Sequence, residues 1–216
     1  MLIDLIVGAR PNFIKISSII NAIDQLNDSK ARLYYRNKFK SPSFWDELEL
    51  SPKSYFVLTI HRPANLSDEE LFLSILKVIS INSEQFKIIF PVHPRTSRIF
   101  ENKKLSLPNL HIVEPLSYLE FNYLVENSMG VITDSVGISE ETMVLDIPCI
   151  TLRDTTERPE TVDIGTNVLV GNSIKKLEAN IKKIISGHWK KTQIPQLRDG
   201  NAGRRIIKVI QDLGGV

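Results

Sequence analysis

Cysteine is nearly absent from this sequence, and long apolar runs are absent altogether. Its one cysteine among 216 residues is Cys149, so the chain cannot form a disulfide within itself, and a reducing cytosol is the expected compartment. No stretch of 18 apolar residues occurs, and residues 1–8 are too short an apolar run for a signal peptide and have no basic segment before them. We therefore expect neither a membrane span nor a secretory signal.

An excess of charge of one sign is also lacking. The 27 basic and 25 acidic residues give a net charge of +2, and no basic run is longer than two residues, so no nucleic-acid partner is expected. The sequence contains no GxxxxGK[ST], GxGxxG or GxSxG motif and no ligand spacing of a zinc site. These absences exclude P-loop hydrolases, ordinary dinucleotide oxidoreductases and esterases, and they argue against a metal site.

Strand-like and helix-like segments alternate along most of the chain. Residues 2–7, 13–26 and 32–35 predict a β-α-β opening, and polar residues 36–54, with a short helix near 44–50, predict a boundary. Beyond it, strands are predicted at Tyr55–Ile60, Phe86–Pro91, Leu110–Val113, Gly130–Thr133, Pro148–Leu152 and Asn167–Val170. Helices are predicted at Asp68–Asn82, Arg95–Lys103, Tyr118–Asn127, Ile138–Leu145, Ile174–Gly187 and Ala202–Leu213. This alternation predicts an α/β fold, a Rossmann-like parallel sheet with helices on both faces.

Five strand-to-helix junctions carry an unusual density of polar groups, at residues 8–12, 59–65, 93–95, 133–137 and 153–160. In open α/β sheets, ligands bind at the carboxyl ends of the strands, which is where these junctions lie. At the fourth junction, small residues at a helix start expose N–H groups that favour an anion. The helix bears Glu140 and Glu141; a carboxylate one to two turns into a helix can reach a ribose hydroxyl, although a glutamate on a helix is more often simply solvated.

Cations and histidines accompany these junctions: Arg10, Lys15, His61, His93, Arg153 and Arg158. Arginine presents a rigid fork of donors that suits phosphate oxygens, and the two arginines of the fifth junction stand with two threonines and three acids. Each feature also has a structural interpretation. Asp134 or Ser135 can be a helix N-cap, the arginine loop a salt-bridged surface, and each histidine a structural residue.

Together, the junctions resemble one family. Six segments occur in the order found in the non-hydrolysing UDP-N-acetylglucosamine (UDP-GlcNAc) 2-epimerases: GARPNFIKI from residue 8, TIHRPANL from 59, PVHPRT from 91, DSVGISEET from 134, IPCITLRDTTERPETV from 147 and GTNVLVG from 165. The resemblance extends over residues 1–35 and 38–216. It implies a GT-B fold, with residues 1–36 a remnant of the N-terminal Rossmann-like domain and residues 37–216 the C-terminal, UDP-binding domain.

The resemblance also implies a function. The family interconverts UDP-GlcNAc and UDP-N-acetylmannosamine by eliminating and re-adding UDP, without a cofactor or a metal. A cytoplasmic homodimer that serves cell-envelope polysaccharide synthesis is expected. The resemblance assigns Ser135, Val136 and Gly137 to the diphosphate and Glu141 to the ribose hydroxyls. It places five further residues in the substrate region, with His61 also the candidate catalytic group: Arg10, Lys15, His61, His93 and Arg158.

Two departures from the family pattern bear on activity. The family has glycine where this chain has Val136, whose side chain is expected to hinder the close approach of a phosphate. Two GT-B domains of about 150 residues each do not fit into 216 residues, and the segment missing near residues 36–37 would hold the carboxylates that handle the C2 proton. Three hypotheses result: an epimerase that is inactive in this shortened chain, a UDP-sugar-binding remnant, and, less favoured, a GT-B glycosyltransferase relative.

Overall fold

The chain divides into two compact units in the computed structural model, which describes residues 39–92, 107–193 and 201–214. One unit is Phe39–Gln193, and the other joins Met1–Lys38 to Ile194–Val216. The predicted β-α-β opening and the predicted helix Arg95–Lys103 lie outside the described residues. The division into domains 1–36 and 37–216 stays a prediction.

A six-stranded parallel sheet forms the centre of the Phe39–Gln193 unit. Its strands, in chain order β1 to β6, are Tyr55–Thr59, Lys87–Pro91, Leu110–Val113, Gly130–Thr133, Cys149–Thr151 and Asn167–Leu169. Their spatial order is β3-β2-β1-β4-β5-β6, and every neighbouring pair is parallel. All six predicted strands are confirmed to within one residue at each end.

Helices connect the strands. In this unit α1 to α6 are Pro63–Leu66, Glu69–Asn82, Tyr118–Asn127, Val136–Leu145, Pro159–Asp163 and Ile174–Ile185, and α7 in the other unit is Ala202–Gly214. The sequence did not predict α1 and α5, which are four and five residues long and begin with proline. The predicted start of α4, Ile138, is two residues too late, because valine and glycine, here Val136 and Gly137, are weak helix formers.

The short helix predicted near residues 44–50 is wrong: residues 43–49 form hydrogen-bonded turns instead. Glu49 has a left-handed φ of 47°, which ends any helical repeat, and the Leu50 N–H donates to the Trp45 carbonyl at 3.0 Å. The Trp45 ring packs edge-on against Tyr55 and Tyr123. Apolar residues in this segment therefore anchor turns to the sheet.

Helices cover both faces of the sheet, because successive strand residues point to opposite sides. On one face, Phe56 and Leu58 of β1 pack in a buried cluster with α2 and α6. On the other face, Tyr55 and Val57 pack in a second cluster with α3 and the turns before β1. Strands buried on both sides explain why the sequence shows apolar runs in place of alternation.

The strand order reverses between β1 and β4. The chain runs from β1 outward to β2 and β3, then returns to β4 and continues outward to β5 and β6. Connections that leave two neighbouring strands in opposite directions open a crevice at their carboxyl ends, where ligands of doubly wound folds bind. The residues that follow Thr59 and Thr133, which are register partners, therefore line the expected site.

Candidate functional site

Asp134 connects the two strands at this crevice. Its side chain has 0% exposure, and its Oδ1 lies 2.8 Å from Nδ1 of His61. Its Oδ2 accepts hydrogen bonds from the His61 and Arg62 N–H groups, at 3.1 and 2.9 Å, and from Nδ2 of Asn65, at 3.0 Å. This one carboxylate thus holds the whole turn between β1 and α1 against the end of β4.

The contact between His61 and Asp134 favours the charged form of both groups. The hydrogen bond to Asp134 raises the pKa of His61 above its ordinary value, against the opposing effects of partial burial and of Arg62. Burial alone would raise the pKa of Asp134, but hydrogen bonds from His61, the Arg62 amide and Asn65 together lower it. The His61 side chain is 64% exposed, so Nε2 is the ring nitrogen left to meet a ligand.

The N-terminus of α4 lies next to this pair. The first N–H groups of a helix have no acceptor within it, and the N-cap residue Ser135 makes no side-chain capping bond here. Its own N–H donates to Oγ1 of Thr133 at 2.9 Å, and that hydroxyl lies 2.6 Å from Oγ1 of Thr59. The sequence allowed Ser135 to be an ordinary N-cap, but its hydroxyl does not serve the helix.

Gly137, the second residue of α4, has open space beside it. A methyl group added at this position would meet only Oγ of Ser135, at 3.9 Å, and the residue is exposed in a helical conformation. Packing within the described chain therefore does not require glycine here. Close approach of a ligand to the helix start does supply a reason for it.

Two glutamates on α4 differ in their surroundings. Glu140 Oε1 lies 2.9 Å from Nε of Arg158, the residue that precedes α5. At Glu141, burial and the nearby charge of Glu140 raise the pKa to about 7, against the opposing effect of a hydrogen bond with Tyr118. Part of the Glu141 population is therefore protonated at neutral pH.

The loop before α5 is braced by its own ion pair. Nη1 and Nη2 of Arg153 contact the two carboxylate oxygens of Glu157 at 3.0 and 2.8 Å, and the Arg153 side chain is only 9% exposed. The Gly171 N–H donates to the Arg153 carbonyl at 3.1 Å. The Arg153–Glu157 pair agrees with the interpretation of this loop as a salt-bridged surface. Arg158 is the arginine of the loop that contacts α4.

The structure brings several of the predicted site residues to one place. His61 faces the end of β4, Arg158 contacts α4, and four more belong to α4 or its cap: Ser135, Val136, Gly137 and Glu141. Arg10, Lys15 and His93 lie outside the described residues. The sequence indicated Asp134 only as a possible cap and Asn65 only as a member of the polar junction 59–65, although an aspartate directly after a buried strand is a usable signal.

A cavity of about 530 Å³ lies elsewhere, beside the edge strand β3. Its lining includes Phe44, Glu47, His111 and Glu114, and none of the described site residues is among them. The converging donors and charges lie at the crevice, so we assign the candidate site there. Within residues 39–92, 107–193 and 201–214, no cluster of side chains fits a metal ion and no helix is long and apolar enough to cross a membrane.

Comparison with known proteins identifies relatives over most of this chain. The family model described as UDP-N-acetylglucosamine 2-epimerase matches residues 19–211. A UDP-N-acetylglucosamine 2-epimerase homolog of Methanococcus maripaludis is 36% identical over 202 residues, 91% of this chain and 56% of the relative. The UDP-N-acetylglucosamine 2-epimerase of Methanocaldococcus jannaschii is 39% identical over 166 residues, 72% of this chain and 44% of the relative.

A solved structure agrees with these relatives. The M. jannaschii UDP-GlcNAc 2-epimerase, crystallised with UDP-GlcNAc and UDP, has a TM-score of 0.64 and 33% identity, and the match covers 90% of this chain and 53% of that one. The six-stranded sheet corresponds to the C-terminal half of its GT-B fold. This chain spans about half the length of the curated relatives it matches. With matches of this extent and identity, the chain belongs to the UDP-N-acetylglucosamine 2-epimerase family.

Proposed function

We propose that the Phe39–Gln193 unit binds the UDP part of UDP-GlcNAc at the crevice between β1 and β4, and that this site serves C2 epimerisation of the sugar. The observation that carries the proposal is the uncapped N-terminus of α4, whose N–H groups and helix dipole favour a diphosphate. The open space beside Gly137 leaves room for phosphate oxygens to come within hydrogen-bonding distance of these N–H groups.

The surrounding groups extend this site along a nucleotide. Glu141 lies about 7.5 Å further along the axis of α4 than Val136, where its carboxylate is an acceptor for ribose hydroxyls. Arg158, paired with Glu140, supplies a guanidinium for a phosphate oxygen. In this proposal Arg10, Lys15 and His93 also belong to the substrate region, as the family motifs imply.

The chemical role of this half of the site is to stabilise the leaving group. In elimination, the C1–O bond breaks and its electron pair stays on the diphosphate, so negative charge develops beside the α4 N–H groups, Arg158 and His61. Preorganised donors aimed at such charge typically contribute about 10²–10³-fold each to the rate. A base must also remove the C2 proton. The carboxylates that do so in the family have no counterpart that we identify in this sequence.

Two functions therefore compete: epimerisation, and UDP-sugar binding without turnover. The sequence predicts measurable UDP binding and no turnover for the 216-residue polypeptide. Incubation with UDP-GlcNAc in D₂O, followed by NMR at C2, separates the two. Enzyme-dependent deuterium at C2 would establish epimerase chemistry in this chain and contradict the prediction. A homodimer remains the expected oligomeric state. The cytosol remains the expected compartment, because the chain has a single cysteine, the buried Cys149.

Gly137→Ala tests the binding site itself. Alanine fits the helix and should leave the thermal midpoint unchanged or raise the free energy of unfolding by up to about 1 kcal/mol, while UDP affinity measured by calorimetry should fall at least about tenfold. Uridine, which lacks the diphosphate, should bind weakly to both proteins. Unchanged UDP affinity in the alanine variant would remove the helix N-terminus from the site.

A further inference from the structure

Asp134 is a buried anion with an unusual set of partners. Three of its four donors are uncharged: the N–H groups of His61 and Arg62 and the side-chain amide of Asn65. The fourth is Nδ1 of His61, at 2.8 Å. In the described part of the chain, the charged groups that act on His61 are Asp134 and Arg62.

The burial of the Asp134 carboxylate requires partners that offset its loss of water. A carboxylate removed from water costs free energy unless it is hydrogen-bonded and paired with a cation. The Arg62 contact uses the backbone N–H, so His61 is the cation that the contacts of Asp134 offer. Nδ1 must carry a proton to donate to this carboxylate, so any further proton on the ring sits on Nε2.

We propose that Asp134 is a positioning residue that acts through His61: it fixes the ring with Nδ1–H toward the carboxylate and keeps Nε2–H as a charged donor toward the diphosphate. The inference rests on the proposed function for its ligand, and it involves no proton transfer. It differs from a scaffolding role because the charge of Asp134, and not only its shape, is required.

Asp134→Asn separates charge from shape. Oδ2 of Asp134 accepts from three N–H groups, whereas Oδ1 accepts mainly from His61. An asparagine therefore places its oxygen at the Oδ2 position and turns its NH₂ toward Nδ1 of His61. Nδ1 then becomes an acceptor, the favoured tautomer inverts, and the pKa of His61 falls because its anionic partner is gone.

The test combines ring NMR with UDP titrations of the full chain. In the wild type, we expect the tautomer-sensitive ¹⁵N shifts of His61 to show Nδ1–H, with a pKa above the ordinary value of about 6.5, and UDP affinity to weaken as the pH rises through it. In Asp134→Asn the pKa should fall and UDP affinity at pH 7 should drop about tenfold. Asp68→Asn, the same change at the exposed N-cap of α2, should alter neither.

A double-mutant cycle with His61→Ala shows whether Asp134 acts through His61. If it does, Asp134→Asn lowers UDP affinity in the wild type but not in the His61→Ala background. An equal loss in both backgrounds overturns the proposal in favour of a purely structural role.

The ring titration needs neither a variant nor UDP. A wild-type pKa of His61 at or below about 6.5, or an Nε2–H tautomer in the neutral ring, overturns the proposal even if Asp134→Asn fails to fold. If the wild type does not bind UDP, the proposed function fails, while this titration still decides whether Asp134 controls His61.

Discussion

Val136 and Gly137 occupy the first two positions of α4, the place proposed for the diphosphate. The family motif has glycine at both positions, and the side chain of Val136 adds bulk where phosphate oxygens would approach the backbone. Val136→Gly is therefore expected to tighten UDP binding in calorimetry. It should also lower the free energy of unfolding by about 0.5–1 kcal/mol, because glycine loses more backbone freedom on folding.

The same helix offers a matched control. Val144 lies near the other end of α4 and is 67% exposed, so Val144→Gly carries a similar cost in stability without touching the proposed site. UDP affinity should be unchanged in Val144→Gly. Equal or weaker affinity in Val136→Gly would mean that the loop has already adapted to valine.

Glu141 makes stability depend on pH. Its pKa is raised to about 7 from an ordinary value of 4.5, so between these values the folded chain holds more protons at this site than the unfolded chain. The free energy of unfolding therefore falls as the pH rises through this window. Glu141→Gln should relieve this cost, by on the order of 2 kcal/mol at pH 8 and by little at pH 5.

Denaturant unfolding at the two pH values measures this effect. Glu178→Gln is the control, since the Glu178 side chain is partly exposed and pairs with Lys182 across one helical turn, an interaction worth about 0.5 kcal/mol or less. If Glu141→Gln changes stability equally at pH 5 and pH 8, the pKa of Glu141 is not raised.

Single residues of the site differ in how well sequence could predict their roles. His61 and Ser135 lie just after strands and Arg158 lies in the loop that follows one, and strand ends can be located from apolar runs alone. The role of Asp134 could not be predicted, because its partners lie 69 to 73 residues earlier in the chain. Those contacts exist only because β1 pairs with β4, and that pairing depends on the strand order of the whole sheet.

At the scale of elements, the loop that carries Arg158 depends on the turn after β6. Gly171 in that turn has a φ of 56°, and a methyl group there would lie 2.1 Å from Oδ1 of Asp154. Gly171→Ala must therefore push the Asp154 side chain aside or distort the turn, and either change disturbs the start of the loop. Gly187 has a φ of 72° but no atom within 4 Å of such a methyl group.

The two glycine variants form a matched pair. Gly187→Ala should cost only the left-handed strain of about 1–2 kcal/mol, and Gly171→Ala should cost at least about 1 kcal/mol more because of the clash. Only Gly171→Ala should weaken UDP binding. Equal losses of stability in urea unfolding would show that Asp154 moves aside freely.

Elements with a clear period or a long apolar run were predicted well, including Tyr118–Asn127, whose bounds are confirmed. The Ser117–Glu120 capping box of that helix is a local signal that needs no tertiary contact. Helices α1 and α5 are too short to show a period. The turns at 43–49 contain apolar residues at helix-like spacing. One of them, Trp45, packs against the aromatic rings of Tyr55 and Tyr123, which are distant in the sequence.

At the scale of the whole molecule, the reversal of strand order gives the site its place. It brings the turn after β1, the N-terminus of α4 and the loop before α5 to the carboxyl edge of one sheet. The alternation of strands and helices predicted a parallel sheet with polar junctions at one edge. It could not predict which two strands lie side by side at the reversal, since that order arises from the packing of helices on both faces.

The location of UDP is tested most directly by amide chemical shifts of the ¹⁵N-labelled 216-residue chain during a UDP titration. The largest changes are expected at Ser135, Val136 and Gly137, and in the turn that begins with His61. Uridine at the same concentrations should leave these amides nearly unchanged. Largest changes in the cavity beside β3, at residues 110–114, or no saturable change at the start of α4, would contradict the proposed site.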